Sequence, residues 1–102
     1  MREEIEQVFG GTSMYRADDG YYVPVHMLPG LKRFILNGVK PGDFLYAVLC
    51  SNLKEAVGRA DSENKRNLSA YMELLYNYAP ATCWSSKEKV DAWIDQGGLD
   101  GR

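Results

Sequence analysis

The chain has 102 residues, a formal charge of −2, 45% hydrophobic and 25% charged residues. That length fits one domain, and that balance excludes a disordered chain too polar to offset its ordering entropy. No Lys/Arg block provides the footprint of a duplex-binding protein, and no apolar stretch approaches the roughly 20 residues of a membrane span.

Taken in chain order, Glu3 to Phe9 suits a short helix with Ile5, Val8 and Phe9 on one side, broken by Gly10-Gly11-Thr12-Ser13. Ala17-Asp18-Asp19-Gly20 is a turn signal. Tyr21 to Val25 has β propensity, but Pro24 cannot donate to a ladder, so this stretch is either an extended arm or edge strand, or a loop laid over the helical body. From residue 28 the pattern is helical. Leu28, Leu31, Phe34 and Ile35 share one face, Pro29 suits a first turn, and Gly38 suits a stop. Pro41 opens a second helix with Phe44, Leu45, Val48 and Leu49 inward and Asp43 at its dipole-favoured start. After Ser51-Asn52, the spacing of Leu53, Ala56, Val57 and Ala60 predicts a third short helix, or a kinked continuation, to about Arg59. Asp61 and Ser62 are good N-caps for what reads as the longest helix, with Leu68, Tyr71, Met72 and Leu75 buried and Pro80 as terminator. Ser85 to Glu88 has capping-box spacing. The last helix carries Val90, Trp93 and Ile94 inward, stops at Gly97-Gly98, and leaves Leu99 to Arg102 as a frayed tail.

The expected fold is mainly α: a compact irregular bundle of about five short helices with an extended N-terminal arm or edge strand. It is one domain, with residues 1–27 as the N-terminal extended segment and 28–96 as the helical body. Folding at this size buries only roughly 60–70% of the unfolded surface. Self-association would add stability, and a homo-oligomer is expected. The start Met1-Arg2-Glu3-Glu4 lacks the apolar core of a signal peptide, so the chain is expected to stay where it is made.

Several chemistries find no support. Serine nucleophiles need a base and an orienting acid, yet His26 is the only imidazole and no Gly-x-Ser-x-Gly elbow exists. Cys50 and Cys83 sit in apolar surroundings and read as buried thiols of a reducing cytoplasm. One histidine without close cysteine spacing makes a zinc site unexpected. The glycines at 10 and 11 lack the Gly-Lys-Ser/Thr of a phosphate loop. No catalytic residue, metal or cofactor is expected.

The informative segment runs from Glu55 to Asn67. Arg59, Asp61, Asn64, Lys65 and Arg66 gather at a helix junction, where free backbone N–H groups beside cations suit a phosphate or carboxylate. Ordinary capping by Asp61, with Arg59 paired to Asp61 or Glu55 and Lys65/Arg66 on a wet face, accounts for the same residues. Seven tyrosines are many for this length. Tyr76 and Tyr78 cannot both face the core of one helix, which suggests an interface or a ligand base.

The runs Pro41-Gly42-Asp43-Phe44-Leu45-Tyr46-Ala47-Val48-Leu49, Asn52-Leu53-Lys54-Glu55-Ala56-Val57-Gly58-Arg59-Ala60-Asp61 and Leu75-Tyr76-Asn77-Tyr78-Ala79-Pro80, followed by Trp84 to Val90, resemble a family of small, largely uncharacterised tailed-bacteriophage proteins. The resemblance covers roughly residues 22–95. It implies an accessory protein acting in the bacterial cytoplasm. By analogy of context, the leading expectation is an anti-defence protein that sequesters a nucleotide immune signal. Arg59, Asn64, Lys65 and Arg66 would sit on phosphate, and Tyr76 or Tyr78 against the base. The alternative is a protein–protein inhibitor of a host enzyme or defence complex. A third reading is a small hydrolase using His26 or a cysteine.

Overall fold

In the computed structural model, which describes residues 2–101, the secondary structure is mainly helical. The helices are α1 (Arg2–Phe9), α2 (Leu28–Asn37), α3 (Asp43–Leu49), α4 (Leu53–Arg59), α5 (Ser62–Arg66), α6 (Leu68–Tyr78) and α7 (Lys87–Gln96). Between α1 and α2 lie β1 (Tyr15–Arg16) and β2 (Tyr22–Val23), then a 3-10 turn at Val25–Met27. The expected bundle of short helices with a small edge-strand region is what the chain forms.

The apolar stripes read from spacing meet in one cluster. Leu28, Leu31, Phe34 and Ile35 of α2 are buried with Val48 and Leu49 of α3, Tyr71, Leu74 and Leu75 of α6, and Val90 and Trp93 of α7. Ile5 and Phe9 of α1, Ala17 in the hairpin turn and Val23 of β2 belong to the same cluster. Residues 1–27 are therefore not simply an extended segment ahead of the body. Helix α1 is amphipathic and drives its apolar side into the common core; Met1 lies outside the described residues.

Tyr21 to Val25 does contain a strand, and its partner is Tyr15–Arg16. The pairing is antiparallel, Tyr15 opposite Val23 and Arg16 opposite Tyr22. Ala17 N donates to Tyr21 O at 2.8 Å across the turn, and Gly20 adopts φ +91 there. Pro24 follows the strand and precedes the 3-10 turn, so its missing N–H costs the ladder nothing.

Three helix ends differ from expectation. The helix expected to run unbroken from Asp61 is divided at Asn67, which leaves α5 only five residues long. The Asn67 side chain is the reason. Fully buried, it accepts from Tyr22 N at 2.9 Å and donates to Glu63 O at 2.9 Å. An asparagine bonded to backbone in this way competes with the helical ladder. Replacing it removes the acceptor for a half-buried N–H. Asn67→Ala is expected to lose about 1–3 kcal/mol in urea unfolding, with the hairpin amides exchanging fastest. A loss within about 0.5 kcal/mol, the usual range for surface changes, would contradict that role.

The second difference is at the C-terminal end. Residues 99–101 are not frayed: Leu99–Gly101 forms a 3-10 turn against α2, with Leu99 packed on the core. Asp100 bonds Arg2 and Asn37. Arg102 lies outside the described residues. The cap of α7 also shifts by one residue: Ser86 accepts from Lys89 N, while Ser85 takes φ +90 and donates its N–H to Leu49 O at 2.7 Å.

Candidate functional site

Helices α3 and α4 and the start of α7 surround a polar basin of about 370 Å³. Asp43, Tyr46 and Cys50 come from one side of α3, spaced three and four residues apart, so the helical period brings them together. Their opposite side is the buried stripe of Leu45, Val48 and Leu49. Asn52 caps α4, accepting from Glu55 N at 3.2 Å. Glu55 and Arg59 follow on α4 at i,i+4, and Lys87 enters from the first position of α7. Lys40, in the α2–α3 connection, completes the wall.

The basin carries cations and carboxylates side by side. Arg59 lies 3.4 Å from both Asp43 and Glu55, and all three are exposed. Pairs of that kind contribute little to stability and yield readily to a competing ligand. Lys40 Nζ sits 4.6 Å above the Tyr46 ring. The Tyr46 hydroxyl donates to Asp91 at 2.5 Å, and Lys87 donates to the other Asp91 oxygen at 2.6 Å. Lys87 first, then Tyr46, hold the Asp91 carboxyl below its ordinary range. This clasp is present above the usual carboxylate range and is lost as pH falls through the lowered value.

Other phenols and thiols titrate the opposite way. Burial, then Glu73, pushes Tyr15 up to about 12, and burial pushes Cys83 up to about 12. Asp91, then burial, raises Tyr46, and burial raises Tyr71. Raised folded values mean that this stability is whole at neutral pH. It falls as pH climbs from the thiol's ordinary 9.0 through the raised values. In an alkaline titration, Tyr15, Tyr46 and Tyr71 are expected to ionise together with the loss of helix. Phenolate absorbance from all seven tyrosines at their ordinary value, with the helix signal intact, would contradict this.

Of the residues marked in the sequence, Arg59 alone reaches the basin. Asp61 caps α5, accepting from Asn64 N at 2.8 Å. Asn64 is buried and its side-chain oxygen accepts from the Tyr71 hydroxyl at 2.6 Å. Both are engaged in structure. Lys65 and Arg66 are exposed and line no depression with Arg59. Helix α6 carries Tyr76 about 12 Å along its axis from the α5 end. Tyr76 is 82% exposed, and Tyr78 meets Tyr15 edge-on at 6.2 Å. Neither tyrosine lines the basin that holds Arg59.

His26 is exposed in its 3-10 turn. It lines a depression different from the one that holds Cys50, and Cys83 is fully buried. Among the described residues, nothing brings an imidazole to either thiol. Both cysteines are free. Among the described residues no cluster of His, Cys, Asp or Glu could hold a metal ion, and no helix is long and apolar enough to cross a membrane.

Sequence reasoning missed Lys40 and Lys87, which lie far from Arg59 along the chain. Tyr46 and Cys50 were findable, since their spacing from Asp43 puts them on the polar side of α3. No family model, no curated protein and no solved structure matches the chain. The chemistry of the basin is read from its own geometry.

Proposed function

We propose that this is an accessory binding protein that holds a nucleotide signal in the basin, in a tailed-phage context suggested by the motif resemblance. One observation carries the reading. Lys40, Arg59 and Lys87 face the same space as Asp43, Glu55 and Asn52, with Tyr46 in the wall. A nucleotide presents the complementary set: phosphate for the cations, sugar hydroxyls for the carboxylates, and a flat base for an aromatic neighbour. Sequestration of an immune signal in the bacterial cytoplasm is the biological role this would serve, and a self-associated form would raise its capacity.

Calorimetric titration with cyclic AMP and ADP-ribose tests it. Arg59→Ala combined with Lys87→Ala removes charge-assisted contacts, and about a hundredfold weaker binding is expected. Arg66→Ala should bind as wild type does. No binding by wild type to either nucleotide, or binding unchanged in the double variant, defeats the proposal.

A second reading, an inhibitor of a host protein, is favoured by a different surface. Leu53 is 69% exposed and Val57 40% exposed on α4. Leu53 lines an apolar depression of about 130 Å³ together with Val48, Leu68 and Met72. Covering an exposed apolar side chain together with the hollow beside it would remove apolar surface from water. On this reading, Leu53→Asp abolishes the host effect while nucleotide titrations stay unchanged. A full host effect from Leu53→Asp removes the reading.

A further inference from the structure

On the other side of Lys40 lies a separate depression of about 240 Å³, and its electrostatics differ from those of the basin. His26 enters from the 3-10 turn, Arg33 from α2 and Lys40 from the α2–α3 connection. No carboxylate among the described residues lines it. Arg33 and Lys40 take part in none of the ion pairs found among the described residues, whereas Arg59 and Lys87 in the basin are both paired. Three nitrogen-bearing side chains from separate segments thus line one hollow, and the Lys40 ammonium is shared with the Tyr46 ring of the basin.

The walls also leave room. A Cβ added at Gly42 would meet nothing within 4 Å, and one added at Gly30 would meet only Leu45 Cδ1 at 3.3 Å. Exposed chain with this arrangement offers a guanidinium fork, an ammonium and a ring N–H to the same ligand. A planar guanidinium matches phosphate bidentately, and an ammonium adds a point charge.

The geometry points to a second anion site here, formed by His26, Arg33 and Lys40 and taking a phosphate or pyrophosphate group. It does not rest on the nucleotide reading of the basin. Lys40 lines both hollows, so a ligand with phosphate in this pocket would reach toward Tyr46 with the rest of its structure. The phosphate comes either from a free inorganic anion or from a nucleotide, and the two sources are separable.

The test is titration of the full chain with inorganic pyrophosphate at fixed ionic strength, followed by calorimetry, with ADP-ribose as a second arm. Saturable pyrophosphate binding is expected. It should weaken about tenfold or more in Arg33→Gln and in Lys40→Gln, and stay at the wild-type value in Arg66→Ala. Arg33 and Lys40 are exposed, so helix content reports that both variants fold. If Arg33→Gln also weakens ADP-ribose binding, the phosphate belongs to a nucleotide; if only pyrophosphate is affected, the site takes the free anion. Absence of saturable pyrophosphate binding by wild type overturns the proposal. So does wild-type affinity in Arg33→Gln, or a response that chloride reproduces at equal ionic strength. Loss of the basin's nucleotide binding in Arg59→Ala/Lys87→Ala with pyrophosphate binding intact leaves this site standing.

Discussion

Gly98→Ala is expected to lower stability by about 2–5 kcal/mol and the melting temperature by roughly 10 °C or more. Helices α2 and α7 end on left-handed glycines, Gly38 at φ 69 and Gly97 at φ 86, with Gly98 at φ 75. Gly97 N donates to Ile94 O and Gly98 N to Trp93 O, each at 3.0 Å, which satisfies the last carbonyls of α7. The two ends then cross backbone to backbone. A Cβ on Gly98 would lie 2.7 Å from Asn37 N and from Leu36 C, and one on Gly38 would lie 2.6 Å from Gly98 N. Those atoms are backbone at the ends of α2 and α7 and cannot give way as a flexible side chain could. Gly20 provides the control. It has φ +91 but nothing within 4 Å of an added Cβ. Gly20→Ala should therefore cost only the backbone term, about 1–2 kcal/mol. Thermal melts that place Gly98→Ala level with Gly20→Ala would show that the crossing is not tight.

The second large effect belongs to Trp93, which is expected to cost about 3–5 kcal/mol when cut to alanine. Its ring is 6% exposed in the core. Its indole N–H donates to Ile35 O at 3.0 Å and Phe34 O at 3.2 Å, carbonyls at the end of α2. The side chain thus fills volume and ties α7 to the helix that Gly98 crosses. Since domains of this kind are stable by only about 5–15 kcal/mol, Trp93→Ala should unfold at markedly lower urea. Trp93→Phe keeps most of the volume, so its loss combines the hydrogen bonds, about 0.5–1.5 kcal/mol, with a smaller cavity and should stay below that of Trp93→Ala. Equal losses in the two variants would mean that the polar contact, not the packing, dominates.

The helices were legible where their signals are local. Leu28, Leu31, Phe34 and Ile35 with Pro29 and Gly38 define α2 from spacing and end residues alone, and the structure buries that face. The break at Asn67 was not legible, because it depends on Tyr22, 45 positions earlier. The same holds for residues 99–101: two glycines read as a stop, and nothing local says that the chain turns back onto α2. The candidate site divides along the same line. The run from Arg59 to Arg66 is continuous in sequence, so its polar residues looked like one surface. In three dimensions Asp61 stays at the surface as the cap of α5, Asn64 turns inward to bond Tyr71, and Arg59 turns toward α3. The cations that meet Arg59 come from positions 40 and 87, which no local pattern links. Glu55 and Arg59, and Lys87 and Asp91, are i,i+4 pairs visible in the sequence, but which helices face each other is a property of the packed core.

The location of the site is the central claim, and a backbone amide NMR titration of the full chain with ADP-ribose tests it most directly. Saturable shifts are expected at Lys40, Asp43, Tyr46, Cys50, Asn52, Glu55, Arg59 and Lys87, with Lys65, Arg66, Tyr76 and Tyr78 unmoved. Shifts confined to Lys65, Arg66, Tyr76 and Tyr78, or no saturable shift anywhere, would contradict it.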